Sequence, residues 1–277
     1  MSLKDKCMLV QLTIGKPKLS EKDKRATTDV AVAHNASTEA VAVTKKLYPK
    51  HLLAPITTVE SAARKYVESV TEARGKGLAV LPCRLFMPFQ EKIGQFRIQF
   101  QQAVTVFLQN YANVLAQAQV QTGTMFDTKD YPDVTELKEQ FTFDVRYPTL
   151  ETAGTITLQM EAESLAIYKA EVEAQHERDM VTRQRGLYAR LGEAVERIKV
   201  QCGKEDGKIY DSLTGNLAEL LGILPALNLD DDPAFDALCK EAAGLVVAPE
   251  SIRTVPEVRK QLATNAEDIL AKMAGFL

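Results

Sequence analysis

The sequence predicts an α+β fold, mostly helical, in which a small antiparallel sheet packs on two long helices and a C-terminal helical lobe follows. Three patterns predict it. Met8, Val10, Leu12 and Ile14, and later Phe141, Phe143, Val145 and Tyr147, occupy every second position, the period of a strand. Ile93, Phe96, Phe100, Phe107, Tyr111 and Val114 follow at spacings of 3, 4, 7, 4 and 3, and Leu165 to Ile198 repeats that spacing, so each run lays its apolar residues on one helical face. The last 70 residues carry Asp232-Pro233 and Pro256, which open helices because proline's missing N–H is unneeded in a first turn.

The elements follow in order. The first strand stops at Gly15-Lys16-Pro17, and a charge-dense loop, KPKLSEKDKRATTD, comes next. Short helical patterns follow at Thr28 to Asn35 and Thr38 to Tyr48, the second ended by Pro49. Thr57-x-x-Glu60 reads as a capping box opening a helix that Gly75 stops. The run LAVLPCRLFM is a strand candidate that Pro82 demotes to an edge or a break. Pro88 starts the first long helix, which runs to about Gly123, roughly 50 Å at ~1.5 Å per residue. Asp133-x-x-Glu136 opens a short helix. The strand at Phe141 to Tyr147 then pairs in a hairpin with the alternating Ile156, Leu158 and Met160. The second long helix spans Glu161 to about Val200, with Gly186 and Gly192 as bend candidates, and helices near Tyr210 to Ile223, Asp232 and Pro256 complete the chain. The expected organisation is a basic α+β core over 1–202 and an acidic helical lobe over 203–277, separated by GKEDGK.

Charge is unevenly distributed. The first 100 residues hold 17 Lys and Arg against 9 Asp and Glu, while the remaining 177 hold 17 against 28, so the net charge of −3 joins a half at +8 to a half at −11. Such segregation suits a protein whose one surface meets a polyanion while another stays clear of it. Cys7, Cys83, Cys202 and Cys239 lack disulfide or zinc spacing and read as reduced thiols of a cytoplasmic protein. No apolar run approaches the roughly 20 residues of a membrane span, so a membrane is not an expected partner.

Catalytic signatures are missing. The three histidines are not at ligand spacing, and neither a GxxxxGK[ST] nor a GxSxG stretch occurs. Asp230-Asp231-Asp232 suggests a Mg²⁺ site, but Asp232-Pro233 is also an ordinary helix start. The expectation is a protein that is not an enzyme and takes no cofactor.

The basic half has a better-defined use. Lysine and arginine engage phosphates, and single strands add base stacking on aromatic faces. Lys16, Lys18, Lys22, Lys24 and Arg25 share one loop; Lys45, Lys46 and Lys50 bracket Tyr48; Arg64 and Lys65 adjoin Tyr66; and Arg97 lies between Phe96 and Phe100. Phe96 and Phe100 stand at core spacing, which favours packing over stacking, whereas Tyr48 among lysines is the stronger base-stacking candidate. Arg178, Arg183, Arg185 and Arg190 with Tyr188 form a further cluster that extends a groove, faces another subunit or is simply solvated.

Two stretches, KRATTDVAVAHNASTEAVAVTKKLYPK and DYPDVTELKEQFTFDVRY, resemble the Drc-type single-stranded-DNA-binding transcription regulators of tailed bacterial viruses, podoviruses with a giant virion RNA polymerase. The resemblance covers about the first 150 residues and rests on His34, Lys45, Lys46, Tyr48 and Lys50 in one stretch and Tyr131, Pro132, Leu137 and Phe141 in the other. It implies an early viral protein of the host cytoplasm that coats single-stranded DNA, self-associates and assists viral RNA polymerase or replication proteins. Of the matched residues, His34, Tyr131, Pro132, Leu137 and Phe141 read as structural. A similar layout in accessory proteins encoded beside MoxR-type AAA+ ATPases implies an adaptor instead, and single-strand annealing in a ring is a third reading. The long helices imply a dimer or tetramer, because a monomer would leave apolar seams wet.

Overall fold

The computed structural model describes residues 6–75, 77–148, 162–204 and 207–276, and is mostly helical with a small antiparallel sheet. In order, the described elements are β1 (Cys7–Gly15), β2 (Ser20–Lys22), α1 (Lys24–Ala33), β3 (Thr44–Lys46), α2 (Lys50–Val70), β4 (Glu72–Gly75) and β5 (Leu78–Pro82). They continue as α3 (Phe86–Gln109), α4 (Tyr111–Thr122), α5 (Val134–Gln140), β6 (Thr142–Arg146), α6 (Ala162–Gly203), α7 (Ser212–Leu227), α8 (Pro233–Ala243), α9 (Pro249–Thr254) and α10 (Pro256–Met273). Strands β4, β5, β1 and β6 form one sheet in that order, and β2 pairs with β3 in a separate ribbon.

The chain packs as two compact units, divided differently from the expected boundary at 202/203. The ribbon unit comprises Leu12–Val67 and Pro88–Arg146. The lobe unit comprises Met1–Gln11, Glu68–Met87 and Tyr147–Leu277. The acidic lobe does not stand apart from α6, because Leu187, Leu191, Val195 and Ile198 enter the same core as Leu217, Leu224, Phe235, Leu262 and Ile269. A helix with an apolar stripe needs a partner for it, and the helices of the last 70 residues supply one. The ribbon unit has its own core of Leu47, Ile56, Phe100, Phe107, Val114 and Leu137, with Phe141 and Phe143 set against Phe100.

Several elements depart from their sequence signals for local reasons. The predicted helix at Thr38 to Tyr48 is absent, and β3 occupies part of it because Lys45 is drawn inward. Helix α2 begins at Lys50 rather than Thr57; the Thr57 hydroxyl donates back to the Leu53 carbonyl at 3.2 Å instead of capping. It ends at Val70, short of Gly75. That glycine (φ 80°) and Gly77 (φ 75°) instead occupy the left-handed region beside the β4–β5 turn, where a side chain would be strained. Strand β5 lies inside the sheet, and Pro82 is tolerated there because it is the terminal residue, opposite Cys7. The first long helix is two, α3 and α4, parted at Asn110. The second runs through Gly186 and Gly192 without interruption. Asp133 caps α5 as its spacing predicts, accepting from the Thr135 and Glu136 amides at 2.7 and 2.9 Å. The predicted strand containing Ile156, Leu158 and Met160 lies outside the described residues.

Candidate nucleic-acid interface

The most basic stretch of the ribbon unit is built on β2 and β3. Ser20 stands opposite Lys46, Glu21 opposite Lys45 and Lys22 opposite Thr44. Because strand side chains alternate, this register sorts the lysines. Lys45 points inward and is buried, whereas Lys22 and Lys46 share the exposed outer face as a diagonal pair, roughly 7–8 Å apart at Cα. The Asp23 amide donates to the Val43 carbonyl at 2.9 Å, and the Leu47 amide to the Leu19 carbonyl at 3.0 Å, so the ribbon is tied at both ends. Asp23 also caps α1, accepting from the Ala26 amide at 2.9 Å, which places Lys24 and Arg25 exposed at the start of that helix.

Lys45 is a structural lysine. Its ammonium meets Asp130 at 2.7 Å and Asp23 at 3.8 Å, and donates to the Met125 carbonyl at 2.5 Å. Burial works against its charge, but Asp130, Asp23 and Asp127 outweigh it and hold the lysine above its ordinary value of 10.5. It joins β3 to the turn at 123–130 and has no face left for a phosphate.

Tyr48, the base-stacking candidate, is also internal. It is 3% exposed, with its ring edge-on to Phe107 and Tyr131 at 5.9 and 5.8 Å. Burial pushes its phenol well above the ordinary range. The alternation that turns Lys46 outward is broken after β3, and Leu47, Tyr48 and Pro49 are all buried. A polar neighbourhood in sequence did not mean a wet one in space.

The remaining candidates divide by partner. Lys16 is ion-paired with Glu60, which also receives Arg64 at 3.1 Å, and Lys18 is paired with Glu21. Lys22, Lys24, Arg25, Lys46, Lys50, Lys65 and Arg97 are exposed, and none has a carboxylate partner among the described residues. Tyr66 beside Arg64 and Lys65 is half-buried, stacked on Phe89 at 6.1 Å with its hydroxyl on the Pro88 carbonyl. Phe100 is buried, and Phe96 is half-buried with the Lys92 ammonium 5.4 Å from its ring centre.

In the lobe unit two of the four arginines of the α6 cluster are taken up in ion pairs, while Arg178 and Arg185 are exposed without one among the described residues. Arg183 forks onto both Asp230 oxygens at 3.0 Å, and Arg190 reaches Glu72 at 3.0 Å. The Tyr188 hydroxyl donates to Asp232 at 2.7 Å. These contacts, with Lys6 on Asp231 and the Asp232 cap of α8, account for all three aspartates of the triplet as structural groups. Among the described residues no cluster of His, Cys, Asp and Glu is arranged to hold a metal.

Sequence reasoning did not single out the groove at the N-terminal turn of α2. Pro49, Lys50, His51 and Ala54 face Ala116, Gln117, Val120 and Gln121 of α4 across a trough of about 860 Å³. Only Lys50 among them carried a sequence signal. Among the described residues no helix is long and apolar enough to cross a membrane. Neither a family model, nor a curated protein, nor a solved structure matches this chain.

Proposed function

We propose that this chain is a non-enzymatic, sequence-tolerant binder of single-stranded DNA, and that the outer face of the β2–β3 ribbon supplies its phosphate contacts. The observation that carries the reading is the set Lys22, Lys24, Arg25 and Lys46: four exposed cations on the β2–β3 ribbon and the first turn of α1, with no carboxylate partner among the described residues. A phosphate that meets a free lysine sheds the cations condensed on the DNA, whereas a lysine already held by a carboxylate must first give up that pair. The resemblance to the Drc-type regulators supplies a setting, a viral protein that coats DNA for the viral RNA polymerase or replication proteins.

The test is the anisotropy of a labelled ~30-nucleotide single strand and its duplex at about 50 and 200 mM salt. Salt-sensitive binding of the strand, tighter than that of the duplex, is expected. Absence of binding at the lower salt overturns the reading.

An assembly or adaptor role is favoured by a different observation. The first half of α6 leaves Ile167 58% and Val181 51% exposed on a single helix face with Ala170 and Ala174. Sedimentation of the chain without DNA, showing a dimer or tetramer that Val181→Glu dissolves, would support it.

A further inference from the structure

Burial of Tyr48 leaves the ribbon without an aromatic platform. Among the described residues of its unit, no Phe or Tyr is exposed. Lysines on a ribbon hold phosphates but do not distinguish a single strand from a duplex; that takes a surface that accepts unstacked bases. We infer that the trough between the first turn of α2 and the last turns of α4 is that surface, a base-stacking subsite for single-stranded nucleic acid.

Four features support it. Its walls offer the exposed imidazole of His51, a ring on which a base can stack, and the side chain of Val120, which is 86% exposed. The trough, about 860 Å³, is wide open to solvent rather than enclosed, so a base carried on a flexible strand can reach it. No carboxylate lines it, and Lys50 stands in its wall free of any ion pair among the described residues. Lys46, on the outer face of the ribbon, is four residues away, at most ~14 Å along the chain, so one short strand can hold its phosphates on Lys46 and Lys50 while its bases enter the trough.

The trough also has groups for base edges. Gln121 makes no side-chain hydrogen bond among the described residues, and the Gln117 amide nitrogen points at Asn113 at 3.3 Å, leaving its oxygen to accept. Amides that both donate and accept suit every base about equally, which agrees with sequence-tolerant binding.

The inference rests on the phosphate-binding reading, and the experiment separates the two. The full chain is titrated with a dT oligonucleotide and with an abasic strand of equal length and charge. One stacked base is expected to be worth about tenfold or more in affinity, so the dT strand binds at least tenfold tighter. The double variant His51→Ala, Val120→Ser, both at exposed positions, is expected to bring the two strands within about twofold while abasic binding and its salt dependence stay unchanged. Thermal unfolding of the variant confirms that it is folded. Equal affinity of the native chain for both strands, or a discrimination that survives the double variant, overturns the trough and leaves the ribbon standing. Failure to bind either strand overturns both. A variant that changes only the sedimentation behaviour assigns the trough to a second copy of the chain and likewise overturns the inference.

Discussion

The two units use their cations in opposite ways. In the ribbon unit, 15 Lys and Arg stand against 12 Asp and Glu, and many of the basic groups are exposed, with no carboxylate partner among the described residues or with one three or four residues away. In the lobe unit, 19 stand against 25, and arginines reach across the fold to backbone carbonyls. Arg259 donates to the carbonyls of Gln201, Cys202 and Gly207 at 3.0 to 3.1 Å, closing the C-terminal end of α6. Arg84 does the same for Pro225 and Ala226 at the end of α7 and Arg190 for Ser69 and Thr71 at the end of α2, while Arg253 holds the Ile209 carbonyl in the segment before α7. A helix end leaves four carbonyls without partners, and a guanidinium with five donors can satisfy several at once where an ammonium cannot match the geometry. Charge in one unit is held in reserve at the surface; in the other it is part of the packing. Net charge by halves of the sequence does not reveal this difference.

The largest expected effect comes from removing an arginine of the second kind. Arg259→Ala should destabilise the lobe unit by about 3 kcal/mol, since it leaves the Gln201 and Cys202 carbonyls at the end of α6 and the Gly207 carbonyl beyond it without their donor. Chemical denaturation with a fluorescent or circular-dichroism readout measures it, and a loss under ~0.5 kcal/mol, the scale of an ordinary surface change, would break the comparison.

Next comes the lysine that behaves like those arginines. Lys45→Met should cost the ribbon unit about 3 kcal/mol by leaving Asp130 and Asp23 without their cation. Any loss of DNA binding in that variant should track the unfolded fraction, whereas a folded Lys45→Met chain with abolished binding would return Lys45 to the interface.

The reserve cations should give the reverse result. Lys22→Glu with Lys46→Glu is expected to move stability by no more than ~0.5 kcal/mol. It should lower single-strand affinity at least tenfold and flatten the salt slope by about 1.4, the value for two lost phosphate contacts. An unchanged slope would place the contacts elsewhere.

Alkali should also separate the units. Burial raises Cys7 to about 11 and Cys239 to about 12 from an ordinary 9.0, and raises Cys202 as well, and all three lie in the lobe unit. A folded value above the unfolded one stabilises below the unfolded value and is given up as pH rises, so the lobe unit should begin to weaken near pH 9. The ribbon unit has no cysteine; its raised groups are Tyr48, Tyr66, Tyr111 and Tyr131, ordinarily at 10.0, and Lys45 at 10.5, so its loss begins about one pH unit higher. Hydrogen exchange from pH 8 upward, resolved by unit, would refute this if the ribbon unit opened first.

The mildest test is chemical. A thiol reagent should label the native chain at Cys83, the exposed cysteine, and reach Cys7, Cys202 and Cys239 only on unfolding.

What the sequence determined is what travels along the chain. Asp133 and Asp232 cap their helices because a carboxylate two or three residues ahead of free amides needs no distant help. The apolar spacing of Phe100, Phe107 and Val114, or of Leu187 to Ile198, marks a buried face because helical geometry repeats every 3.6 residues whatever the helix meets. Strands β1 and β6 were legible for the same reason, and so was the excess of positive charge around Lys16 to Lys50. Tertiary structure alone decided the rest. Neighbours distant in sequence drew Lys45 inward to Asp130 and left Lys46 outside, enclosed Tyr48 between Phe107 and Tyr131, and set His51 across from Val120. A lysine or tyrosine has the same local signature wet or dry. Its burial is fixed by what packs against it, so the candidate site was readable as a basic region but not as a particular set of side chains.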